Sequence, residues 1–365
     1  DLCNPRRSGC NKFYIWHNAG TMKRKKKLFG RNGPIHLIVA VIAIALGMGV
    51  YVVGWRSPVV DAATFRIDSG AAVSAVAARL RAAGLISSSD VFKAAVMVQG
   101  GKIQSGTYDI PARASTFRIA RMMARGDVAS TLVVIPEGLT IRQIKNLLLD
   151  TAALAGPVEC DVADRPVCHL HDGDVFPDTY RVARGTSRLA VLELMRRKMA
   201  SIHDSWNATG GHAPKPLKTW NEILTLASIV QKETPKPSEM PIVASVYLNR
   251  LNKKMRLQAD PTVVYAITGG LGDMQGRALL RDHLKTPSPF NTYTNYGLPP
   301  SPIANVGRNA IAAVLDPADT NYLFFVADGR GGHKFAGTYE EHQKNHADWR
   351  AIKKFRNSKS KPVND

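Results

Sequence analysis

The chain has 365 residues, 45% of them hydrophobic, and a formal net charge of +20 at neutral pH. This apolar content is near the average for globular proteins, so it excludes a disordered chain and allows a large core in two or three domains. The charge favours an anionic partner, but it is unevenly distributed. Residues 1–33 hold nine basic side chains against one acid, and five more lie between Lys353 and Lys361.

The first predicted element is an uncharged apolar run, IHLIVAVIAIALGMGVYVVGW, from Ile35 to Trp55. It matches the roughly 20 residues that cross a bilayer as a helix, and it is too long for the core of a cleaved signal peptide. Basic residues at 23–27 precede it, directly after Met22, a candidate initiator. The positive-inside rule therefore predicts a single inner-membrane span with a cytoplasmic N-terminus and everything after Arg56 exported. We assign 1–34 to a basic cytoplasmic tail, 35–55 to the span and 56–64 to a linker.

A strand–turn–helix pattern then occurs twice. Phe65 to Ile67 predict a strand that leads into a turn at Gly70, and Val133 to Ile135 lead in the same way into Gly138. Apolar helix positions follow at equal offsets from the two glycines: Val73, Val76 and Leu80, then Ile141, Ile144 and Leu148. Such units resemble LysM modules, which bind glycan strands, and an ordinary α+β unit is the alternative. We assign 65–150 to a LysM-like glycan-binding region.

Cys160 and Cys168 lie in the next segment, in the loop-like stretch ECDVADRPVC. On the exported side of a membrane a short disulfide between them is one interpretation. A zinc site completed by His169 and His171 is the other, although its spacing matches no common zinc pattern. We assign 151–216, which includes a predicted helix from about residue 188, to a connecting region.

The stretch LASIVQKET ends a helical pattern on a carboxylate. Apolar residues recur with i, i+3, i+7 spacing at Ile223, Leu226 and Val230, and Glu233 continues this face. The residues Thr219 to Glu222 form a capping box that begins the helix, so Glu233 falls in its last turn. A negative charge there opposes the helix dipole, and burial adds to the effect, so both favour the protonated carboxyl. The pattern predicts a proton donor.

Five motifs occur in one order along the chain. They are GDVFPDTYRV from Gly173, ASIVQKET from Ala227, NRLNKKMRLQADPTVVYA from Asn249, PFNTYTNYGLPPSPIANVG from Pro289 and YLFFVADGRGGHKF from Tyr322. In this order and spacing they resemble the endolytic murein transglycosylase family, also called MltG or YceG-like. The resemblance runs from the membrane span nearly to the C-terminus.

The resemblance implies an inner-membrane enzyme whose periplasmic part cleaves glycan strands of nascent peptidoglycan. The family leaves 1,6-anhydro-N-acetylmuramoyl ends and acts near the peptidoglycan synthases to end chain growth. Its catalytic residue is the Glu of K-E-T, which is Glu233 here. Members commonly carry a second Glu where this chain has Gln231, so Glu233 is the only carboxylate in this motif.

These patterns predict an α+β fold. A single N-terminal transmembrane helix is followed by a small LysM-like α/β module and then by a mixed, helix-rich catalytic domain at 217–350. A basic tail at 351–365 ends the chain.

Polar residues in two motif loops are candidates for holding sugar, because amide and hydroxyl groups pair with sugar hydroxyls and aromatic rings stack on sugar rings. For each of them a hydrogen bond that stabilises the loop is the alternative. The candidates are Gln258, Asp260 and Thr262 in one loop and Asn291, Thr292, Tyr293 and Asn305 in the other. Asp178 is more typical of a turn, His333 fits either role, and Asp328 to Gly331 predict a hairpin turn.

A lytic transglycosylase needs one acid–base group, because the muramoyl C6 hydroxyl replaces water as the nucleophile. No metal or organic cofactor is expected. A hydrolase using a second carboxylate, Asp260 or Glu239, is the nearest alternative. A non-catalytic glycan-binding anchor would not need a carboxylate on an apolar helix face. The predicted topology argues against nucleic acid as the partner of the basic residues.

The predicted orientation can be tested with a topology reporter. A reporter that is active only in the periplasm, fused after Arg356, should be active, because the span places this end of the chain outside the cytoplasm. If only a cytoplasmic reporter worked at the same position, both the localisation and the peptidoglycan substrate would have to be abandoned.

Overall fold

The computed structural model describes residues 33–55, 58–160, 165–271, 274 and 276–359. Its first element is helix α1 (Gly33–Trp55). Over Ile35–Trp55 this helix is long and apolar enough to cross a membrane, with only 6% of its most apolar window buried by the rest of the protein. No second helix of this kind occurs within the described ranges. Most of the predicted basic tail before the span lies outside them.

The first folded unit follows the span directly. Its strands β1 (Ala63–Ile67) and β2 (Gly106–Ile110) pair antiparallel, with Ala63 opposite Ile110. Between them lie helices α2 (Val73–Ala82) and α3 (Ser89–Val98), and α4 (Thr116–Arg125) follows. The helices and strands bury their apolar faces in one shared core. This core contains Val76, Ala77, Leu80, Phe92, Tyr108, Ile119 and Met123.

The second unit repeats the strand–turn–helix that the sequence predicts. Strand β3 (Ser130–Val134) leads to α5 (Ile141–Asp150), which begins with a capping box between Thr140 and Gln143. Gly70 and Gly138, at the two equivalent turns, share a left-handed φ of 78°, which glycine adopts without a steric penalty. Both strand–turn–helix predictions are confirmed.

Strand β3 is completed by a strand that the sequence analysis did not assign. This strand, β4 (Thr179–Ala183), comes from the segment interpreted as a connection and pairs antiparallel with β3. A 3₁₀ turn at Pro166–Cys168 and helix α6 (Arg188–Ala208) flank it. Cys160 and Cys168 form a disulfide, so the alternative zinc site loses two of its four ligands.

The third unit carries four of the five motifs. Four helices surround its main hydrophobic core, and a β-hairpin and a long helix close it. They are α7 (Trp220–Glu233), α8 (Met240–Asn252), α9 (Asp260–Thr268), α10 (Arg308–Leu315), the hairpin β5 (Phe324–Ala327) and β6 (His333–Ala336), and α11 (Tyr339–Lys359). The mixed α+β class is confirmed. The predicted hairpin turn is confirmed as well, since Asp328 accepts hydrogen bonds from the backbone N–H groups of Arg330 and Gly332.

Candidate active site

Helix α7 places Glu233 at the end of a buried helix. Thr219 and Glu222 form the expected capping box at its start, and every residue from Ile223 to Val230 is buried. Glu233 is the last helical residue, and Thr234 leaves the helix in an extended conformation. The carboxyl group therefore lies at the negative end of the helix dipole and next to the hydrophobic core.

Two side chains from α8 lie around this carboxyl. The buried Tyr247 hydroxyl donates a hydrogen bond of 2.7 Å to Glu233 Oε1. One turn later on the same helix, Arg250 is also buried, and its guanidinium donates to the carbonyls of Leu323 and Leu257, each at 2.6 Å. Because Tyr247 occupies Oε1, the acid form of Glu233 can carry its proton on Oε2.

Burial raises the pKa of Glu233 from its ordinary 4.5 to about 7. The hydrogen bond from Tyr247 opposes this rise because it favours the carboxylate, whereas the nearby negative charge of Asp260 adds to it. The positive charge of Arg250 lowers the pKa slightly. A carboxyl with a pKa near 7 can donate a proton at neutral pH and can also take one back.

Glu233 lines an open cavity of about 290 Å³. The rest of its wall comes from the end of α7, from α9 and from the loop before α10, and it consists of Lys232, Asp260, Pro261, Val264, Tyr265 and Ile303. A carboxyl pair beside apolar and aromatic surface is a suitable lining for a sugar.

Asp260 and Tyr293 are brought together at this cavity. Asp260 is the first residue of α9, and its Oδ1 accepts a hydrogen bond of 2.6 Å from the Tyr293 hydroxyl. Gln258 lies exposed two residues before Asp260, with a left-handed φ of 50°, and its N–H donates to the Thr292 carbonyl. Asp260 and Gln258 are exposed and Tyr293 is partly exposed, so these three of the seven predicted binding residues reach the surface.

The other four predicted binding residues are buried, at most 2% exposed, and bonded within the protein. Thr262 and Thr292 share a hydrogen bond of 2.8 Å, and Thr292 accepts from the Ala259 N–H. Asn291 donates to two loop carbonyls and accepts from the Tyr293 N–H. The structure thus favours the loop-stabilising alternative for Thr262, Thr292 and Asn291, whose bonds support Asp260 and Tyr293.

Asn305, the fourth, connects the catalytic helices to the second unit. Its Oδ1 accepts from the N–H groups of Gly173 and Val175, and its Nδ2 donates to the Leu139 carbonyl. Nearby, Lys232 donates to the Gly138 carbonyl. Asn305 is therefore also a stabilising residue rather than a direct sugar contact, and its bonds hold the second unit against the end of α7.

A buried aspartate that the sequence analysis missed reinforces this junction. Asp172 accepts from the Ile141 N–H at the start of α5 and, at 2.7 Å, from the hydroxyl of Tyr265, which lines the cavity. Burial raises the pKa of Asp172, although both hydrogen bonds oppose the rise. Tyr247 and Arg250 were missed as well. Their only sequence signal is a phenol and a guanidinium within the mainly apolar pattern of α8.

The other candidates of the sequence analysis have structural partners. Glu239 accepts from His333 Nδ1 at 2.8 Å and pairs with Lys236. Burial raises its pKa, but the hydrogen bond and charge of His333 outweigh burial and hold the pKa below its usual value. Asp178 pairs with Lys198 and accepts from the N–H of Thr179 at the start of β4. Asp260 is thus the only alternative carboxylate of the sequence analysis that lines the cavity.

Comparison with known proteins shows the family. The model of the YceG-like family matches residues 65–348. The chain belongs to the YceG-like family. It is 30% identical over 303 residues to the endolytic murein transglycosylase of Bacillus subtilis, covering 76% of this chain and 82% of that protein. It is 27% identical over 325 residues to the enzyme of the same name from Streptococcus pneumoniae, covering 78% of this chain and 58% of that protein.

A solved yceG-like protein of Listeria monocytogenes is also similar. Its sequence is 29% identical, and the match covers 78% of this chain and 99% of that chain with a TM-score of 0.46.

The raised pKa of Glu233 predicts a pH-dependent effect of Glu233→Gln on stability. Because the folded pKa of about 7 lies above the unfolded value, the wild type loses stability as the pH rises from about 4.5 through 7. Glutamine carries no charge, so its stability relative to the wild type should be greater at about pH 8 than at about pH 5 in thermal unfolding. Glu239→Gln should show no such rise between pH 5 and 8, because the Glu239 pKa is lowered and its contribution to stability changes only below about pH 4.5. If the effect of Glu233→Gln on stability did not change with pH, the raised pKa assigned to Glu233 would be contradicted.

Asn305→Ala separates the two interpretations of that residue. It leaves the buried N–H groups of Gly173 and Val175 without a partner, each worth about 1–3 kcal/mol, while the Leu139 carbonyl keeps the backbone N–H of residue 305. The free energy of unfolding should therefore fall by about 2–4 kcal/mol in urea titrations. Asn295→Ala, which removes an exposed amide from a motif loop, should cost less than about 1 kcal/mol. An Asn305→Ala protein of normal stability that lost affinity for glycan would instead favour direct sugar contact.

Proposed function

We propose that this protein is an endolytic murein transglycosylase. It cleaves peptidoglycan glycan strands between N-acetylmuramic acid and N-acetylglucosamine, without water, and so terminates chain elongation. The observation that carries the proposal is Glu233, a carboxyl with a pKa of about 7 that lines a cavity and is hydrogen-bonded by Tyr247. The names of the relatives in Bacillus subtilis and Streptococcus pneumoniae support the same activity.

In the first half of the reaction Glu233 acts as the acid. It gives its proton to the glycosidic oxygen as the bond from that oxygen to C1 of the muramoyl sugar breaks. Positive charge develops at C1 and the ring oxygen in such reactions, and the carboxylate of Asp260 on the cavity wall stabilises it. Asp260 keeps its orientation through the hydrogen bond from Tyr293.

In the second half Glu233 acts as the base. Now a carboxylate, it takes the proton of the muramoyl C6 hydroxyl, whose oxygen forms a bond to C1 of the same sugar. The product is a 1,6-anhydro ring, Glu233 is protonated again, and no water has been consumed. Because the nucleophile belongs to the same sugar, its effective concentration is high.

We assign substrate binding to the side chains of Gln258 and Asp260, which are exposed, and of Tyr293, which is partly exposed. Four buried residues belong to the same site as its support: Thr262, Asn291, Thr292 and Asn305. The first three hold the loops of the binding residues in place, and Asn305 holds the second unit against the end of α7.

We propose that the first unit binds glycan. Its order of strand, two helices and strand supports the LysM-like assignment. Sedimentation of the segment Phe65 to Val128 with insoluble peptidoglycan would decide between a binding module and a spacer.

We also propose that α1 spans the inner membrane with the basic N-terminal segment in the cytoplasm. The catalytic unit then faces the periplasm, beside peptidoglycan synthases.

A muramidase that uses water is the second candidate. Asp260 favours it, because this second carboxylate lines the same cavity as Glu233. The products distinguish the two reactions. A muramidase leaves a reducing muramoyl end, whereas the lyase leaves an anhydro end that is lighter by one water.

Glu233→Gln tests the mechanism. Glutamine keeps the shape and the acceptor for Tyr247 but cannot supply or recover a proton, so turnover should fall by about 10⁴-fold, the upper end of general acid–base effects. Binding of glycan should persist. The measurement is mass spectrometry of digested sacculi, in which the wild type should produce anhydro ends.

Gln231→Glu is the matched control one helical half-turn away. It keeps the oxygen that accepts from the Gly307 N–H and should retain most of the turnover. Substantial cleavage by Glu233→Gln, or reducing ends from the wild type, would reject the single-glutamate lyase and favour the muramidase.

A further inference from the structure

An exposed arginine and tyrosine lie together on the two segments that carry Asp260 and Tyr293, and the mechanism does not use them. The guanidinium carbon of Arg256 lies 4.7 Å from the centre of the Tyr296 ring. Both residues are exposed, with 67% of the Tyr296 surface accessible. A tyrosine exposed to this degree does not contribute to a hydrophobic core, so its contact with Arg256 is its main interaction.

The pair joins the two segments that form the binding surface. Arg256 precedes Asp260 by four residues, and Tyr296 follows Tyr293 by three. Along the first segment exposure alternates: Leu257 and Ala259 are buried, whereas Arg256, Gln258 and Asp260 face solvent. The exposed row therefore leads from the cavity to Arg256, over at most about 14 Å of backbone.

The positive charge of Arg256 is not neutralised. No carboxylate lies within ion-pair distance of its guanidinium in the part of the chain that the structure describes, in contrast to Arg196, which pairs with Glu193. A guanidinium stacked on an aromatic ring keeps the N–H donors at its edge free for a planar anion. Carboxylate is the group whose shape matches this fork.

We propose that Arg256, oriented by Tyr296, binds the terminal carboxylate of the peptide stem on the strand whose sugar lies at Glu233. This inference rests on the proposed function, since it assumes a peptidoglycan strand in the cavity. A muramoyl sugar carries its stem on the ring, and an extended peptide gains about 3.5 Å per residue. A stem of about four residues thus spans the distance from the cavity to Arg256. The Arg256–Tyr296 pair therefore selects strands whose stems have about four residues and end in a free carboxylate.

The test compares two substrates with the full-length protein. One is a set of glycan strands whose stems end in a free carboxylate, and the other is the same set with the terminal carboxyl converted to an amide. Arg256→Gln should raise KM about 2- to 5-fold on the carboxylate strands, the range for exposed ion pairs, and leave kcat unchanged. On the amide strands the variant and the wild type should have equal KM values. Tyr296→Leu should act in the same direction with a smaller effect.

Arg350→Gln is the matched control, because it removes one exposed positive charge from α11, away from these segments. It should change neither KM. Equal KM increases for Arg256→Gln on both substrates, an equal increase for Arg350→Gln, or a wild type without preference for carboxylate would overturn the inference. A wild type that produced no anhydro ends from either substrate would instead reject the proposed function.

Discussion

The site depends on the balance of forces on one carboxyl group. Burial at the C-terminal end of α7 disfavours the charged form of Glu233, and the hydrogen bond from Tyr247 favours it. One pKa unit corresponds to about 1.36 kcal/mol, so a modest change in burial or in this hydrogen bond would commit the residue to one protonation state at neutral pH. Because the two effects oppose each other, the pKa lies near 7, and the same group can act as acid and then as base.

The position of Tyr247 is in turn maintained by the packing of α8. Arg250 on the same helix donates to the carbonyls of Leu257 and Leu323, and so connects α8 to the segment before Asp260 and to the strand that precedes the hairpin turn. A buried guanidinium is costly unless its donors are satisfied, and here they bond to backbone that cannot easily move away. Helix α8 therefore contacts both Glu233, through Tyr247, and the segment that leads to Asp260 on the cavity wall, through Arg250.

The second unit supports the cavity through contacts behind its wall. Asn305 bonds to backbone groups of Leu139, Gly173 and Val175, and Asp172 joins the start of α5 to Tyr265. The bonds of Asn305 and the bond from Tyr265 to Asp172 join residues about 90 to 170 positions apart in the chain. The GDVFPDTYRV motif, which supplies Gly173 and Val175, is thus tied to the loop before α10, although none of its carboxylates lines the cavity.

The features that depend on neighbours in the chain could be predicted from the sequence. The apolar run of α1, the two strand–glycine–helix repeats and the capped helix that ends on Glu233 all follow from local periodicity and capping. Which polar residues face the cavity depends instead on how distant segments pack. Asp260 and Asn305 are equally polar in sequence, but one is exposed and the other is enclosed by backbone donors and acceptors. Tertiary packing also sets the pairing of β3 with β4 and the hydrogen bond from Tyr247 to Glu233. The type of a residue shows what its side chain can bond to, but not which distant segment will supply the partner.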